Sequence, residues 1–254
     1  MADCRGLITT RMNIKLTIEY DGTDYHGWQI QPNGKTIQEV LEQALKEILR
    51  VRVRLNGSGR TDAGVHALGQ VANFFCTEDI DLWRLQRGLN AFTSPDIVVK
   101  KVEVVSDSFD ARRDAQSRLY EYRIWNQPWP PAVQRRFTYH VHQPLELSAM
   151  QQAIRALEGG HDFSSFQGTG GDVEDPIRKV YHNSIRQQGD VLIYTIEANA
   201  FLRHMVRNIV GTMIEVGRGE RTSEAFAELL QLRDRTQAGP TAPPQALFLV
   251  EVKY

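Results

Sequence analysis

From residue 12 the chain alternates. Met12, Ile14, Leu16, Ile18 and Tyr20 are apolar or aromatic, and Asn13, Lys15, Thr17 and Glu19 between them are polar. That period of two predicts a strand with one buried face. Asp21-Gly22 ends it with turn chemistry. Ile37, Val40, Leu41, Ala44, Leu45, Ile48 and Leu49 then recur at three- and four-residue spacing, which predicts an amphipathic helix over 36–50, with Thr36 and Glu39 as its capping box. A short strand near 51–56, a strand at 69–76, a helix at 81–91 and a strand at 96–105 follow. The pattern then restarts. Leu119 to Trp125 alternates as a strand, Ser148 and Gln151 cap a helix to about 158, and strands at 178–187 and 190–198 join through Gly189-Asp190. A long helix covers 200–216 with Gly217 as its stop, another covers 223–232, and Leu247 to Lys253 makes a last strand after the Pro-rich loop 240–244.

The order β-α-β-β-α-β therefore occurs twice. It predicts an α+β fold of two ferredoxin-like halves, 12–110 and 111–254, behind an unstructured tail at 1–11. If the halves join in one central antiparallel sheet, the seam forms a cleft, where ligands usually bind. The alternative is two separate domains connected near 106–116. No low-complexity linker marks that junction, which favours the fused pair.

Composition adds limits. The chain has 254 residues, 41% hydrophobic and 24% charged, ordinary globular values. No apolar run approaches the roughly 20 residues of a membrane span, and the first dozen residues lack a secretory pattern. Cys4 and Cys76 offer neither a disulfide framework nor a zinc spacing, which points to a reducing, cytoplasmic setting. The net charge is −1, but 23 of the 30 basic residues are Arg, whose planar fork suits phosphate and base edges. Codon bias explains an Arg excess equally well. Positive charge gathers at 111–136, where Arg112, Arg113, Arg118, Arg123, Arg135 and Arg136 face only Asp114 and Glu121 and alternate with Tyr120, Tyr122, Trp125 and Trp129. Such interleaving suits RNA; a solvated strand edge is the competing view. His140 and His142 lack a third partner for a metal.

The densest chemistry lies in Gly57-Ser58-Gly59-Arg60-Thr61-Asp62-Ala63-Gly64-Val65-His66-Ala67. Its glycines allow close backbone approach to a ligand. An ionised Asp62 beside Arg60 can act as nucleophile or base and is a poor acid. An Asx-turn in a hairpin accounts for the same residues. A nucleotide P-loop does not: the Gly-Lys-Ser/Thr ending is missing and the stretch joins two strands.

These eleven residues resemble the signature of the TruA-type tRNA pseudouridine synthases. Four further matches follow the same order: Tyr20 to Gln29 (YDGTDYHGWQ); Phe109 to Arg113 leading to Arg118-Leu119-Tyr120-Glu121-Tyr122; Asp162 to Phe166; and Asn199 to Gly211 (NAFLRHMVRNIVG). The resemblance implies two ferredoxin-like halves enclosing a cleft, with no metal and no organic cofactor. It implies a homodimer that binds tRNA, rather than DNA or a membrane, and isomerises uridines 38 to 40 of the anticodon stem-loop. It assigns Asp62 as the nucleophile, Tyr120 as the aromatic packed on the target base, Arg207 as the partner of the aspartate, Arg60 as an aid to base flipping and Leu247 as an apolar pocket residue. Phe109, Arg112, Arg113, Arg118, Gln167 and Arg178 become candidate tRNA contacts, and the Gly-rich loop Gln167 to Asp175 either touches tRNA or merely connects. The chain departs from the pattern at Ala246, where Gly usually precedes the Leu, and at Arg113-Asp114. From the residues alone, Tyr120 also reads as core and Arg203 and Arg207 as a solvated helix face. A synthase with other RNA targets and a non-catalytic tRNA chaperone remain rival readings.

Overall fold

The computed structural model describes residues 11–77, 80–170 and 175–254. The tail expected at 1–11 lies, but for Arg11, outside the described residues, as do residues 171–174 of the Gly-rich loop. Among the described residues, five α-helices and one ten-stranded, mostly antiparallel sheet make up the fold. In the first half, β1 (Met12–Tyr20), α1 (Ile37–Leu49), β2 (Asn56–Gly57), β3 (His66–Cys76), α2 (Leu82–Phe92) and β4 (Ile97–Val105) follow the expected order. In the second, β5 (Ser117–Trp125), β6 (Tyr139–His140), α3 (Leu147–Ile154), β7 (Gly159–Asp162), β8 (Ile177–Gln188), β9 (Val191–Ala198), α4 (Met205–Gly217), α5 (Ser223–Leu232) and β10 (Leu247–Lys253) include two short strands that the periodicity did not predict.

Across the sheet the strands run β4-β1-β3-β10-β5-β9-β8-β7, with β2 beside β3 and β6 beside β5. The first half thus contributes β4-β1-β3-β2 and the second β10-β5-β9-β8, the same relative order. The halves meet through a parallel pairing of β10 with β3 at Phe248 opposite His66 and Leu249 opposite Ala67. β2 takes the same edge of β3 further along, at Ala72 and Asn73.

The alternation of β1 is realised: Ile14, Leu16, Ile18 and Tyr20 are buried. Asn13 departs from it. It is buried among polar partners, donating to the carbonyls of Ser106 and Phe109 and accepting from Asn73, which removes the cost of an unpaired amide. Ile14, Leu16, Leu41, Leu45, Phe74, Leu85 and Leu89 form one core, and Tyr122, Met150, Phe163, Phe166, Tyr194, Ile209, Met213 and Phe226 form a second. Each fully buried side chain of this kind contributes roughly 1.5–3 kcal/mol. β10 serves both: Leu247 packs in the second core, Leu249 and Val252 in the first.

Four local expectations are corrected. Residues 51–55 are not a strand; only Asn56–Gly57 pairs with β3. Glu146, not Ser148, caps α3, accepting from the Ser148 N–H and hydroxyl. That helix ends at Ile154 and tightens into a 3₁₀ turn over Arg155–Leu157. Finally, α4 begins at Met205 rather than near 200, because His204 takes a left-handed backbone conformation (φ 59°) that α-helix cannot continue through.

Candidate functional site

Asp62 sits in the loop between β2 and β3, at the seam of the halves. The loop is fixed from β3 and from the end of β1. The Ser58 hydroxyl donates to Gln70 Oε1 (2.7 Å), Gln70 Nε2 donates to the Gly59 carbonyl (3.1 Å), and the Tyr20 and Thr61 hydroxyls bond at 2.7 Å. Burial pushes the Tyr20 phenol up to about 12, against the pull of its bonds to Thr61 and Gln70, so it stays a neutral prop. The Val65 N–H closes a turn on the Asp62 carbonyl (3.1 Å).

The segment 21–28 packs on the back of this loop. The Trp28 N–H donates to the Thr61 carbonyl (3.1 Å). A Cβ on Gly27 (φ 86°) would stand 2.5 Å from that carbonyl, and one on Gly22 would stand 2.0 Å from the carbonyl of Val65. Only glycine permits this approach, which gives the first two quoted motifs one physical reason.

His66 extends the joint to the other half. Its Nδ1 accepts from the Gly22 N–H (3.0 Å), so Nε2 carries the proton it donates toward the carbonyls of Gln245 (3.0 Å) and Arg136 (3.2 Å). The ring stacks on Phe248 with centroids 4.8 Å apart. Burial lowers its pKa, with Asp21 working the other way.

Opposite Asp62 stands the start of α4. Arg207 Nη1 donates to Asp62 Oδ2 at 3.0 Å across 145 residues of sequence. The guanidinium is aimed by the strap 240–244: Arg207 Nε donates to the Ala242 carbonyl (2.7 Å), and the Ala242 N–H returns to the Arg207 carbonyl (3.1 Å). The Arg207 side chain is 13% exposed and that of Asp62 32%. The carboxylate thus lies part-way into the protein with its charge compensated, which partial burial of an ion demands. His204 Nε2 lies 3.5 Å from the same oxygen. No reading of the sequence singled it out, although it lies within a quoted motif.

Tyr120 projects from β5, between Leu249 of β10 and Ile196 of β9. It is half-buried, touches both cores and meets Phe201 edge-on (centroids 5.0 Å, 81°). Burial is the main cause raising its phenol pKa, followed by the neighbouring Tyr20 and Asp62. The phenol keeps its proton. Leu247 is buried opposite Tyr122.

The remaining candidates divide by what their side chains already do. Arg60 and Arg112 are exposed, and no hydrogen bond or ion pair engages either guanidinium among the described residues. Arg113 is exposed and pairs with Asp110 at 3.0 Å. Gln167 is half-buried, with its N–H on the Ser164 carbonyl (3.1 Å). Phe109 packs on Tyr254 (4.9 Å) against the first core. Arg178 turns back onto the carbonyls of Asp175 and Ile177. Arg118 has a different job from the one expected. Its Nη1 donates to the carbonyls of Ala115 (3.1 Å) and Asn199 (2.7 Å), and its Nη2 to those of Ser58 (2.8 Å) and Arg112 (3.0 Å). That cation binds the Asp62 loop to the segments before β5 and before α4.

Among the described residues no group of three or more His, Cys, Asp or Glu is placed to hold a metal, and no helix is long and apolar enough to cross a membrane.

Known proteins are similar to this chain in sequence. A family model described as tRNA pseudouridine synthase matches residues 16–113 and 153–254. The tRNA pseudouridine synthase A of Thermoanaerobacter sp. (strain X514) is 43% identical over 242 residues, covering 95% of this chain and 99% of that protein. The protein of the same name from Myxococcus xanthus is also 43% identical over 242 residues, covering 95% of this chain and 91% of its own. Among solved structures, an H/ACA RNP bound to a substrate RNA containing 2'-deoxyuridine overlaps loosely, with a TM-score of 0.37 at 14% identity over 79% of this chain and 44% of that one. By the family match and these relatives, the chain belongs to the tRNA pseudouridine synthase family.

Proposed function

We propose that this chain isomerises uridine to pseudouridine at positions 38–40 in the anticodon stem-loop of tRNA, working as a cytoplasmic homodimer. The observation that carries the reading is the Asp62 carboxylate held by Arg207 at 3.0 Å, partly open to solvent, at the seam of the sheet. We also read the chain as two halves divided between 110 and 111, with the site between them.

The reaction suits these groups. The bond from uracil N1 to the sugar C1' breaks, the base turns, and C5 bonds to C1'. The C5 proton leaves and N1 takes one up, so the change is redox-neutral and needs no co-reactant. Asp62 is the nucleophile or base. Arg207 aims it and balances its charge before the polyanion arrives. Taking the uridine out of its stack costs a few kcal/mol; Arg60, exposed and without a guanidinium partner among the described residues, has the reach to fill the vacated space. Stacking on Tyr120 contributes roughly 1–3 kcal/mol to holding the flipped base, and Leu247 supports the apolar side of the pocket. Arg112, Arg113 and Gln167 are the candidates best placed to touch tRNA.

The test is tritium release from tRNA labelled at uracil C5. Wild type releases it, and Asp62→Ala lowers the rate by about 10³-fold or more while melting like wild type. No release by wild type from any tRNA overturns the proposal. Mapping of modified positions in RNA from a deletion strain checks the assignment to 38–40, and loss of other sites instead would identify a synthase with different targets.

A further inference from the structure

His204 shows three features that the Asp62–Arg207 pair does not require. Its backbone is left-handed (φ 59°, ψ 4°) directly before the first turn of α4, a conformation that strains a non-glycine residue. Its Nε2 lies 3.5 Å from Asp62 Oδ2, the oxygen that Arg207 also engages. Its ring is backed by Gly168, where an added Cβ would stand 2.7 Å from Nδ1, and Gly168 is itself tied to the Arg203 carbonyl (2.8 Å). A strained backbone and a floor with no side chain both serve to bring this imidazole to one carboxylate oxygen. No hydrogen bond from a described residue reaches Oδ1.

We propose that His204 is a positioning residue which, together with Arg207, holds Oδ2 of Asp62 and thereby presents Oδ1 to the flipped uridine. This rests on Asp62 being the reacting carboxylate. One hydrogen bond from Arg207 leaves the carboxylate free to rotate; an imidazole standing 3.5 Å from the same oxygen narrows that rotation. The charged groups around the ring come from every neighbouring element: Asp62 on its loop, Arg207 on α4, Arg203 before it and Arg235 beyond α5. Burial acts first against a charge on the ring, the three arginines add to it, and Asp62 opposes them. The net effect sets the ring below the ordinary imidazole value of 6.5. His204 is therefore neutral at pH 7. A proton gained at lower pH turns it into a second cation on Oδ2 and withdraws charge from the carboxylate.

The experiment measures single-turnover tritium release at saturating tRNA, tRNA affinity by filter binding and the rate from pH 5 to 8. His204→Gly and His204→Asn both accept the left-handed backbone, so they fold. They lower the single-turnover rate by about 10–100-fold and leave tRNA affinity within about twofold. His204→Gln keeps a donor of similar reach. It recovers much of the rate and loses the part of the acid limb, below pH 6.5, that belongs to the imidazole. A His204→Gly enzyme with the wild-type rate and pH profile overturns the inference, and so does a loss confined to tRNA affinity. Asp62→Ala separates the two levels. If that variant stays active, the reading of Asp62 fails and the inference with it. If it is inactive while His204→Gly is fully active, only the inference fails.

Discussion

The two halves order their four main strands alike and differ most in the second of these. In the second half the second strand, β8, is twelve residues long and carries β7 on its outer edge. Its counterpart in the first half, β2, is two residues. The truncation has two effects. It leaves the edge of β3 at His66 and Ala67 open, and β10 pairs there, so the halves become one sheet. It also releases residues 58–65 from the ladder, and these become the loop that carries Asp62. The join and the site arise from one departure from a shared plan, which is why the carboxylate comes from one half and its cation from the other.

Glycine substitutions test this contrast with the largest expected effect. Gly22→Ala places a Cβ 2.0 Å from the Val65 carbonyl and must move the Asp62 loop. Activity is expected to fall about 100-fold and stability by about 1–3 kcal/mol, read by single-turnover assay and denaturant unfolding. Gly189→Ala, in the β8–β9 turn with φ 60° and nothing within 4 Å of its added Cβ, costs at most about 1 kcal/mol and leaves activity unchanged. Equal effects on activity would break the contrast. Next in size is Arg118→Met, which leaves the carbonyls of Ser58, Arg112, Ala115 and Asn199 without this donor. It is expected to cost about 2–4 kcal/mol. Arg118→Lys recovers less than half, because a point ammonium does not span the fork. Unchanged unfolding midpoints for both would show that the halves are not tied here.

Asp110→Ala should have the smallest effect, under about 1 kcal/mol. Slight burial raises the Asp110 carboxyl, but donors from the Arg113 and Arg112 backbone and the Asn56 and Arg113 side chains outweigh it and hold it at about 2. A carboxyl set below its ordinary 3.8 stabilises the fold in full above that pH and loses the contribution as pH falls toward 2. The gap between wild type and Asp110→Ala should therefore close over that interval in acid-unfolding curves. A gap that widens refutes the assignment.

Much of this was legible along the chain because burial follows period. The alternation of β1 and β10 and the spacing of α1 located those elements closely, and the quoted motifs marked Asp62, Tyr120 and Arg207. What periodicity did not report was polar burial. Asn13 looked like a solvent position and is enclosed because Asn73 and two carbonyls receive it. Arg118 sat in a basic, aromatic run that suggested RNA, yet its donors turn inward, since acceptors arriving from Ser58 and Asn199 are invisible locally. His204 carried no helical signal of its own. Its backbone reverses the expected start of α4, and its neighbour Asp62 is more than half the chain away.

β10 lies between β3 and β5 in space but follows every other strand in order of synthesis. The contacts that join the halves span 145 residues from Asp62 to Arg207 and 179 from His66 to Gln245, and pairings of such separation form slowly and late. A nascent chain that has completed α4 already holds Asp62, Tyr120 and Arg207, but the strand that locks their supports together is still to come. Assembly of the site is thus delayed until the halves have folded around it, and an incomplete chain emerging from the ribosome has no finished pocket in which to engage RNA.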